Sequence, residues 1–326
     1  MKTLVTGGAG FVGSHLCELL VKRGRHVTVV DDLSTGRIEN VEALERTGAV
    51  RVVVDTIAHE RVVEDLVREC DEVYHLAAAV GVRLILEQPV KTIETNVAGA
   101  ETVLRCASRF RRKVLITSTS EVYGKSENVP FREDDDVLLG ATHRVRWAYA
   151  ASKMVDEFLA LAYWREKRLP VVIARLFNTV GPRQTGRYGM VIPRLVSQAL
   201  RGEPLTVYGD GEQSRCFGAV QDVVRGLVAL MESPAAVGEV VNLGNPEEVT
   251  INRLAELILE VVGSKSEVRR VPYEQAFAEG FEDMRRRVPD VSKAKRLVGF
   301  QPEIPLRRII EDVAADLRAC GPQAWS

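Results

Sequence analysis

The chain has 326 residues, enough to bury a large core as one big domain or two smaller ones. It is 46% hydrophobic and 27% charged, with a formal net charge of -1, which excludes a broad basic surface for nucleic acid or an anionic membrane. No run approaches the roughly 20 apolar residues that span a bilayer. The N-terminus MKTLVTGGAGF enters a strand directly. We therefore expect a cytoplasmic protein.

Five cysteines are scattered through the chain without the C-x-x-C spacing of zinc or redox sites. They are Cys17, Cys70, Cys106, Cys216 and Cys320. Three histidines, His15, His75 and His143, also lack the spacing of metal ligands. We expect buried or incidental thiols, no disulfide and no bound metal.

Short β-branched runs alternate with helical patterns over the first 177 residues. The predicted strands are TLVT, HVTVVDD, VRVVVDT, EVYHLA, KVLITS and PVVIARLF. Helices are predicted between them, the two longest near 88–109 and 148–166. Almost wholly apolar strands are typical of a sheet covered on both faces, so the pattern predicts an α/β fold with a doubly wound parallel sheet, the Rossmann arrangement.

The regular alternation of predicted strands and helices ends after about Asn178. Helices are predicted in MVIPRLVSQALRG and DVVRGLVALME, near 251–262 and near 306–318, with short strands in LTVYG and VVNLG. We predict a first domain over residues 1–177 and a smaller α/β domain over 178–326, with elements around 214–245 returning to the first. The tail after Cys320 is expected to be disordered.

A glycine-rich turn between the first strand and the first helix predicts a dinucleotide site. Gly7, Gly10 and Gly13 form a G-x-x-G-x-x-G pattern that includes Phe11 and Val12. Glycines let backbone amides approach a pyrophosphate at the helix N-terminus. Asp31, about 20 residues on at the end of the second strand, is placed to bind a ribose 2′-hydroxyl. Because its charge would repel a 2′-phosphate, we expect NAD and not NADP.

Two further strand ends are candidates for the rest of the cofactor. Asp55 and Thr56 follow the third strand, and Ala77 lies in the turn HLAAAVG after the fourth. These residues either cradle the adenine and the second ribose or pack as ordinary strand ends. On this basis residues 1–177 are the predicted NAD-binding domain and 178–326 the predicted substrate domain.

Tyr149 and Lys153 stand four residues apart, which puts them on one face of a helix. A lysine ammonium, helped by the positive charge of oxidised nicotinamide, favours the phenolate and lowers the pKa of the tyrosine. Such a tyrosine removes a proton from a sugar hydroxyl while hydride leaves for NAD. A tyrosine and a lysine at this spacing are common by chance. The pair indicates a catalytic site because the glycine turn and Asp31 occur in the same chain.

The segments STSEVYG, RWAYAASK, LFNTVGPRQ, GEPLTVYGDGEQSRCF and VNLGNPEE carry a resemblance that covers almost the whole chain. The sequence resembles the extended short-chain dehydrogenase/reductase family of NAD-dependent nucleotide-sugar epimerases, dehydratases and decarboxylases. Within it, the segments look most like the UDP-glucuronate decarboxylases, including UDP-xylose synthases and the enzyme that forms a UDP-4-keto-pentose. The resemblance implies a UDP-sugar substrate. The site residues that it implies are Thr119 at the C4 oxygen, Tyr149 as base, Lys153 as its helper, and Asn178 and Arg215 at the nucleotide diphosphate. Arg146, just before the predicted catalytic helix, and Tyr208 are further candidate substrate-binding residues.

Glu121 and Arg287 distinguish the possible reactions. The resemblance implies that 4-epimerases carry a small or apolar residue at position 121, whereas decarboxylases carry a glutamate there and an arginine before a Pro-Asp pair. An arginine fork suits the sugar carboxylate, which becomes part of a β-keto acid after oxidation at C4. Alternatively, Glu121 is an exposed loop carboxylate and Arg287 belongs to a solvated run, Arg285-Arg286-Arg287. The family pattern also differs from this chain at Val288 and between Tyr273 and Arg287.

We predict a UDP-glucuronate decarboxylase that acts through a 4-keto intermediate. The alternatives are a UDP-sugar 4-epimerase acting on glucose or glucuronate types and, after it, a sugar 4,6-dehydratase, which also uses a glutamate in this context. A catalytically idle NAD-binding scaffold would not need Thr119, Tyr149 and Lys153.

The family usually forms homodimers through two helices of each subunit, and the helices near 95–109 and 148–166 are the candidates here. An apolar stripe on the second of these helices is either part of that interface or intramolecular core. The stripe consists of Val155, Phe158, Leu159 and Ala162.

Overall fold

The computed structural model describes residues 1–80, 87–185, 190–272, 275 and 284–321. Its strands are β1 Lys2–Thr6, β2 His26–Asp31, β3 Val50–Val54, β4 Glu72–His75, β5 Lys113–Thr119, β6 Val171–Leu176, β7 Thr179–Val180, β8 Leu205–Tyr208, β9 Ser214–Cys216, β10 Gly218–Ala219, β11 Val240–Leu243, β12 Glu248–Thr250 and β13 Val268–Val271. Its α-helices are α1 Phe11–Lys22, α2 Glu39–Arg46, α3 Glu60–Glu69, α4 Pro89–Phe110, α5 Ala148–Lys167, α6 Val191–Arg201, α7 Val220–Glu232, α8 Ile251–Val262, α9 Ser292–Val298 and α10 Leu306–Cys320. The predicted tail from residue 322, Tyr273 and Gly81 of the HLAAAVG turn lie outside the described residues.

Seven parallel strands form the central sheet, in the order β11-β6-β5-β4-β1-β2-β3. The order reverses beside β1, so the crevice between β1 and β4 opens at the carboxyl edge, where ligands bind in this type of sheet. The predicted doubly wound α/β fold is confirmed.

Each face of the sheet is covered by helices. Alternate residues of a strand point to opposite faces, so Val5 of β1 lies in the cluster that contains α1 and α7, while Leu4 lies in the cluster that contains α3 and α4. Burial on both faces explains why these strands are nearly all apolar.

The remaining helices surround a separate apolar cluster. Leu195 of α6, Leu254 of α8 and Ile310 of α10 meet there and are fully buried. Three two-stranded sheets border it, pairing β7 with β10, β9 with β12 and β8 with β13. β11 instead extends the central sheet beside β6. The division into domains at residues 177 and 178 stays a prediction.

A buried ion pair ties α5 to the central sheet. Arg175 of β6 donates two hydrogen bonds to the carboxylate of Glu157 in α5, at 2.9 and 2.7 Å, and Ser118 of β5 donates to the same carboxylate. The guanidinium also lies over the ring of Tyr123, 4.8 Å from its centroid. This network fixes α5 against the end of β5, one residue before Thr119.

Glu157→Ala should lower the free energy of unfolding by about 3 to 5 kcal/mol, because it leaves the charge of Arg175 buried without its carboxylate. Urea denaturation measures the effect. The matched control is Glu166→Ala, which removes an exposed carboxylate from the last turn of the same helix and should cost less than about 0.5 kcal/mol. Equal costs for the two variants would contradict the structural role given to the buried pair.

Candidate active site

The turn between β1 and α1 has no room for side chains at two of its glycines. Gly7 adopts φ +72°, and a Cβ there would lie 2.7 Å from the backbone nitrogen of Ala77. A Cβ on Gly13 would lie 2.1 Å from the carbonyl oxygen of Gly7. Gly10 precedes α1, whose first residues are Phe11 and Val12. The turn therefore leaves backbone N–H groups unobstructed by side chains at the N-terminus of α1. A pyrophosphate site requires such groups.

Asp31, the last residue of β2, contacts this turn through its carboxylate. Its carboxylate accepts hydrogen bonds from the backbone nitrogens of Ala9, at 3.0 Å, and Leu33, at 2.9 Å. Burial raises the pKa of Asp31 above its ordinary value, and the two N–H donors oppose that rise. The side chain thus stands at the glycine turn, where a ribose diol of a dinucleotide would reach it.

Asp55, Thr56 and Ala77 lie at the same edge of the sheet. The backbone nitrogen of Asp55 donates to the carbonyl of Asp31 at 3.1 Å, which joins the ends of β2 and β3. The Asp55 carboxylate accepts from the backbone of Thr56 at 2.7 Å and lies 2.6 Å from a ring nitrogen of His59. The backbone nitrogen of Ala77 donates to the Thr6 hydroxyl at 3.2 Å. The predicted cofactor residues therefore surround one crevice.

Tyr149 and Lys153 are buried near the amino end of α5. Burial raises the pKa of Tyr149 far above its ordinary value, the charge of Glu121 raises it further, and a hydrogen bond with the Thr119 side chain opposes the rise. Lys153 donates to the carboxylate of Asp156 at 2.8 Å. In the protein alone the lysine charge is thus partly compensated, and the predicted lowering of the tyrosine pKa is not realised.

Glu121 lies in the 3₁₀ turn Ser120–Tyr123, directly after β5, and is held by two arginines. Arg146 donates a hydrogen bond to its carboxylate, and the nearest Arg287 nitrogen lies 3.6 Å from it. Burial favours the neutral acid, but the charges of Arg146, Arg287 and Arg215 outweigh it and hold the pKa of Glu121 below its ordinary value. Glu121 is therefore an ionised, nearly buried carboxylate, not an exposed loop residue.

The three consecutive arginines differ in their surroundings. The Arg285 and Arg286 side chains are 71% and 54% exposed and pair with surface carboxylates, whereas that of Arg287 is 8% exposed. Arg287 also donates to the side-chain oxygen of Asn178 at 3.4 Å. The fold thus separates Arg287 from its solvated neighbours and turns it towards Glu121.

The remaining predicted substrate residues lie beyond the central sheet. Asn178 follows β6, Arg215 lies in β9, and Tyr208 lies in β8. The Asn178 side chain donates to the carbonyl of Cys216 at 3.1 Å, which places it beside β9. Arg215 of β9 is buried and contributes to the charge around Glu121. Tyr208 ends β8, where Arg194 lies over its ring at 4.5 Å.

The sequence interpretation missed one buried residue of this site, Asp156. Its signal is the i,i+3 spacing from Lys153, which places both side chains on one helical face. No group of three or more histidine, cysteine, aspartate or glutamate side chains suited to a metal occurs in the part of the chain that the structure describes. Over the same residues, none of the helices is both long and apolar enough to cross a membrane. The cytoplasmic location stays a prediction.

Known proteins share both this sequence and this fold. A family model described as GDP-mannose 4,6 dehydratase matches residues 4–313. The chain belongs to this family. A UDP-N-acetyl-alpha-D-glucosaminuronate decarboxylase of Bacillus cytotoxicus is 43% identical, over 93% of this chain and 93% of that protein. UDP-glucuronic acid decarboxylase 1 of Xenopus tropicalis is 42% identical, over 94% of this chain and 69% of that protein.

A solved structure adds a second activity to the comparison. UDP-glucuronic acid 4-epimerase from Bacillus cereus, in complex with UDP-glucuronic acid and NAD, matches 98% of this chain and 100% of its own with a TM-score of 0.88 and 30% identity. The predicted membership of the nucleotide-sugar epimerase and dehydratase family is confirmed. The family's members in this comparison include both decarboxylases and epimerases.

Arg146→Met should destabilise the protein by about 3 to 5 kcal/mol at pH 7, because a buried ion pair is broken. The attraction exists only while Glu121 is ionised. Because the pKa of Glu121 lies below its ordinary value of about 4.3, the cost should be fully present above that pH and shrink as the pH falls through the lower folded-state value. Urea denaturation of both proteins between pH 3 and 7 measures the difference.

The Glu121→Gln background is the control for this prediction. There the cost of Arg146→Met should no longer depend on pH, since the titrating partner is gone. A pH-dependent cost that persists in that background would show that Arg146 acts through another group.

Proposed function

We propose that the protein is an NAD-dependent nucleotide-sugar decarboxylase that converts UDP-glucuronic acid through a 4-keto intermediate. The observation that carries the proposal is the ionised Glu121, held between Arg146 and Arg287 next to Tyr149. A 4-epimerase of a neutral sugar has no evident use for such a charged cluster. The decarboxylase relatives, which match nearly the whole chain, support the same conclusion.

The residues at the carboxyl edge of the sheet fit NAD. The space above Gly7 and Gly13 is closed to side chains but suits a pyrophosphate, and the buried Asp31 carboxylate suits the two hydroxyls of the adenosine ribose. Asp55 and Thr56 would then lie beside the adenine. When bound there, NAD would supply an acceptor for the hydride of C4.

Tyr149 and Thr119 act at the C4 hydroxyl in this proposal. The hydrogen bond between their side chains places the phenol and the Thr119 hydroxyl at one point, where a sugar oxygen would contact both. Tyr149 takes the hydroxyl proton as hydride leaves C4. Because burial and Glu121 keep the phenol neutral in the protein alone, the base needs positive charge from Lys153 and from the oxidised nicotinamide.

The arginines act at the sugar carboxylate and at the diphosphate. Arg287 lies 3.6 Å from Glu121 and donates to Asn178 at 3.4 Å, and its guanidinium fork suits a substrate carboxylate. Arg215 and Asn178 would hold the diphosphate. Three buried arginines, Arg146, Arg215 and Arg287, place their charges around Glu121, and this positive environment suits an anionic UDP-uronic acid.

Decarboxylation depends on the ketone at C4. The bond between C5 and C6 breaks, carbon dioxide leaves, and the electron pair passes to the C4 oxygen as an enolate. A proton then adds to C5 and restores the ketone. An ionised carboxylate has no proton to give, so the lowered pKa of Glu121 favours a role in orienting the sugar through its hydroxyl groups over direct proton donation.

A 4-epimerase is the second candidate, because the Bacillus cereus structure that shares this fold is an epimerase of the same substrate. Thr119, Tyr149 and Lys153 serve both reactions, since both begin with oxidation at C4. The two reactions diverge after that oxidation, because the epimerase turns the keto sugar over and keeps its carboxylate.

Incubation with NAD and UDP-glucuronic acid labelled with ¹³C at C6 distinguishes the two reactions. We expect labelled carbon dioxide and a UDP-pentose or UDP-4-keto-pentose, detected by mass spectrometry and proton NMR. Tyr149→Phe should lose at least about 100-fold in turnover, as expected for removal of a general base. A product of unchanged mass with inverted C4 would instead identify the epimerase.

Neighbouring arginines provide a matched pair of variants for the same assay. Arg287→Ala should lose most of the carbon dioxide release, because it removes the guanidinium that would bind the sugar carboxylate. Arg286→Ala should stay near wild-type activity, since Arg286 is an exposed residue bound to Glu248. Equal activities of the two variants would contradict the role of Arg287.

We further propose that two copies of the chain associate through α4 and α5. Phe158 and Val155 of α5 are 69% and 46% exposed, and Val90 and Ile93 of α4 are 66% and 43% exposed. Leu159, in contrast, packs against the core cluster under α4 and α5. The predicted stripe therefore serves both the core and an exposed apolar face, and such a face is typical of a subunit interface.

Phe158→Asp should shift the mass measured by light scattering from a dimer to a monomer, since it buries a charge in the apolar interface. Leu138→Asp, which changes an exposed loop residue elsewhere, is the control and should leave the mass unchanged. A wild-type protein that is monomeric at micromolar concentration would refute the dimer.

A further inference from the structure

Asp156 is a buried acid that the proposed reaction does not use. It lies on α5, seven residues after Tyr149, and its side chain is 1% exposed. One carboxylate oxygen accepts a hydrogen bond from the Lys153 ammonium at 2.8 Å. The other oxygen is buried and has no hydrogen-bond partner among the described residues. A carboxylate is costly to bury in this way, so its presence needs an explanation.

The explanation lies in the surroundings of Lys153, which is itself 3% exposed on its side chain. A buried ammonium is costly unless an anion is close to it. His75 of β4 is neutral, because burial and the charge of Lys153 lower the pKa of that histidine to about 3. Neither water nor His75 thus stabilises the ammonium.

The other acids of this region are engaged elsewhere. Glu157, the next residue of α5, binds the guanidinium of Arg175 with both oxygens. Glu121, beyond Tyr149, binds Arg146. Asp156 is therefore the carboxylate that contacts Lys153 in the described structure, and it approaches from the same face of α5.

We propose that Asp156 is a positioning residue that fixes the Nζ of Lys153 on the Tyr149 face of α5. The proposal rests on the proposed function, in which Lys153 supplies charge to the phenol. Asp156 has an opposing effect as well, because its own charge raises the pKa of Tyr149. Burial and the charge of Glu121 raise the pKa of Tyr149 more than Asp156 does.

Turnover with NAD and UDP-glucuronic acid tests the proposal. Asp156→Asn keeps an oxygen for the hydrogen bond but removes the negative charge, so it should hold the Lys153 ammonium less firmly beside Tyr149. We expect kcat to fall by about 10-fold or more while KM for UDP-glucuronic acid stays near the wild-type value. Asp156→Glu keeps the charge and should restore kcat. A wild-type kcat in Asp156→Asn would overturn the proposal.

A thermal-unfolding cycle gives a readout that needs no activity. Asp156→Asn should lower Tm in the protein that has Lys153, because it breaks the buried pair. In the Lys153→Met background it should raise Tm, because it removes a buried carboxylate that has lost its ammonium. Additive effects in the two backgrounds would refute the pairing. If UDP-glucuronic acid is not turned over, the proposed function fails, while this cycle still decides the role of Asp156.

Discussion

All seven strands of the central sheet run in the same direction, and the site depends on that constraint. Parallel strands bring their carboxyl ends to one edge, so residues far apart in sequence become neighbours. The residues at or just after the strand ends are Gly7, Asp31, Asp55, Ala77, Thr119 and Asn178. The backbone hydrogen bonds of the strands reach within two residues of each, so the scaffold holds these groups with little freedom to move.

Burial gives the site its second property, which is strong coupling between charges. Glu121 with Arg146 and Arg287, Lys153 with Asp156, and Glu157 with Arg175 all lie out of water. Such pairs contribute little net stability compared with apolar packing, but removal of one member is costly. Their value here is that each holds a charged side chain in one place. The charges of Arg146 and Arg287 keep Glu121 ionised, while burial and the charge of Glu121 raise the pKa of Tyr149 and keep its phenol neutral.

The sequence predicted the features that depend on local signals. The strands, the glycine turn and Asp31 follow from apolar runs and fixed spacings, and the helix predicted near 148–166 spans Ala148–Lys167. What it could not predict are contacts between distant segments. Arg285, Arg286 and Arg287 are alike in sequence, and only the fold buries the third. The pairing of Arg146 with Glu121 joins residues 25 apart across a loop, and the effect of Asp156 on Lys153 depends on how deeply α5 is buried.

We attribute chemistry at C5 of the sugar to the charged cluster around Glu121. The most direct measurement is proton NMR of the product formed from UDP-glucuronic acid and NAD in deuterium oxide. Loss of the carboxylate leaves an enolate that must take its proton from solvent, so the account predicts deuterium at C5 of the pentose product. A product that keeps its C5 proton and its carboxylate, with only C4 inverted, would contradict it.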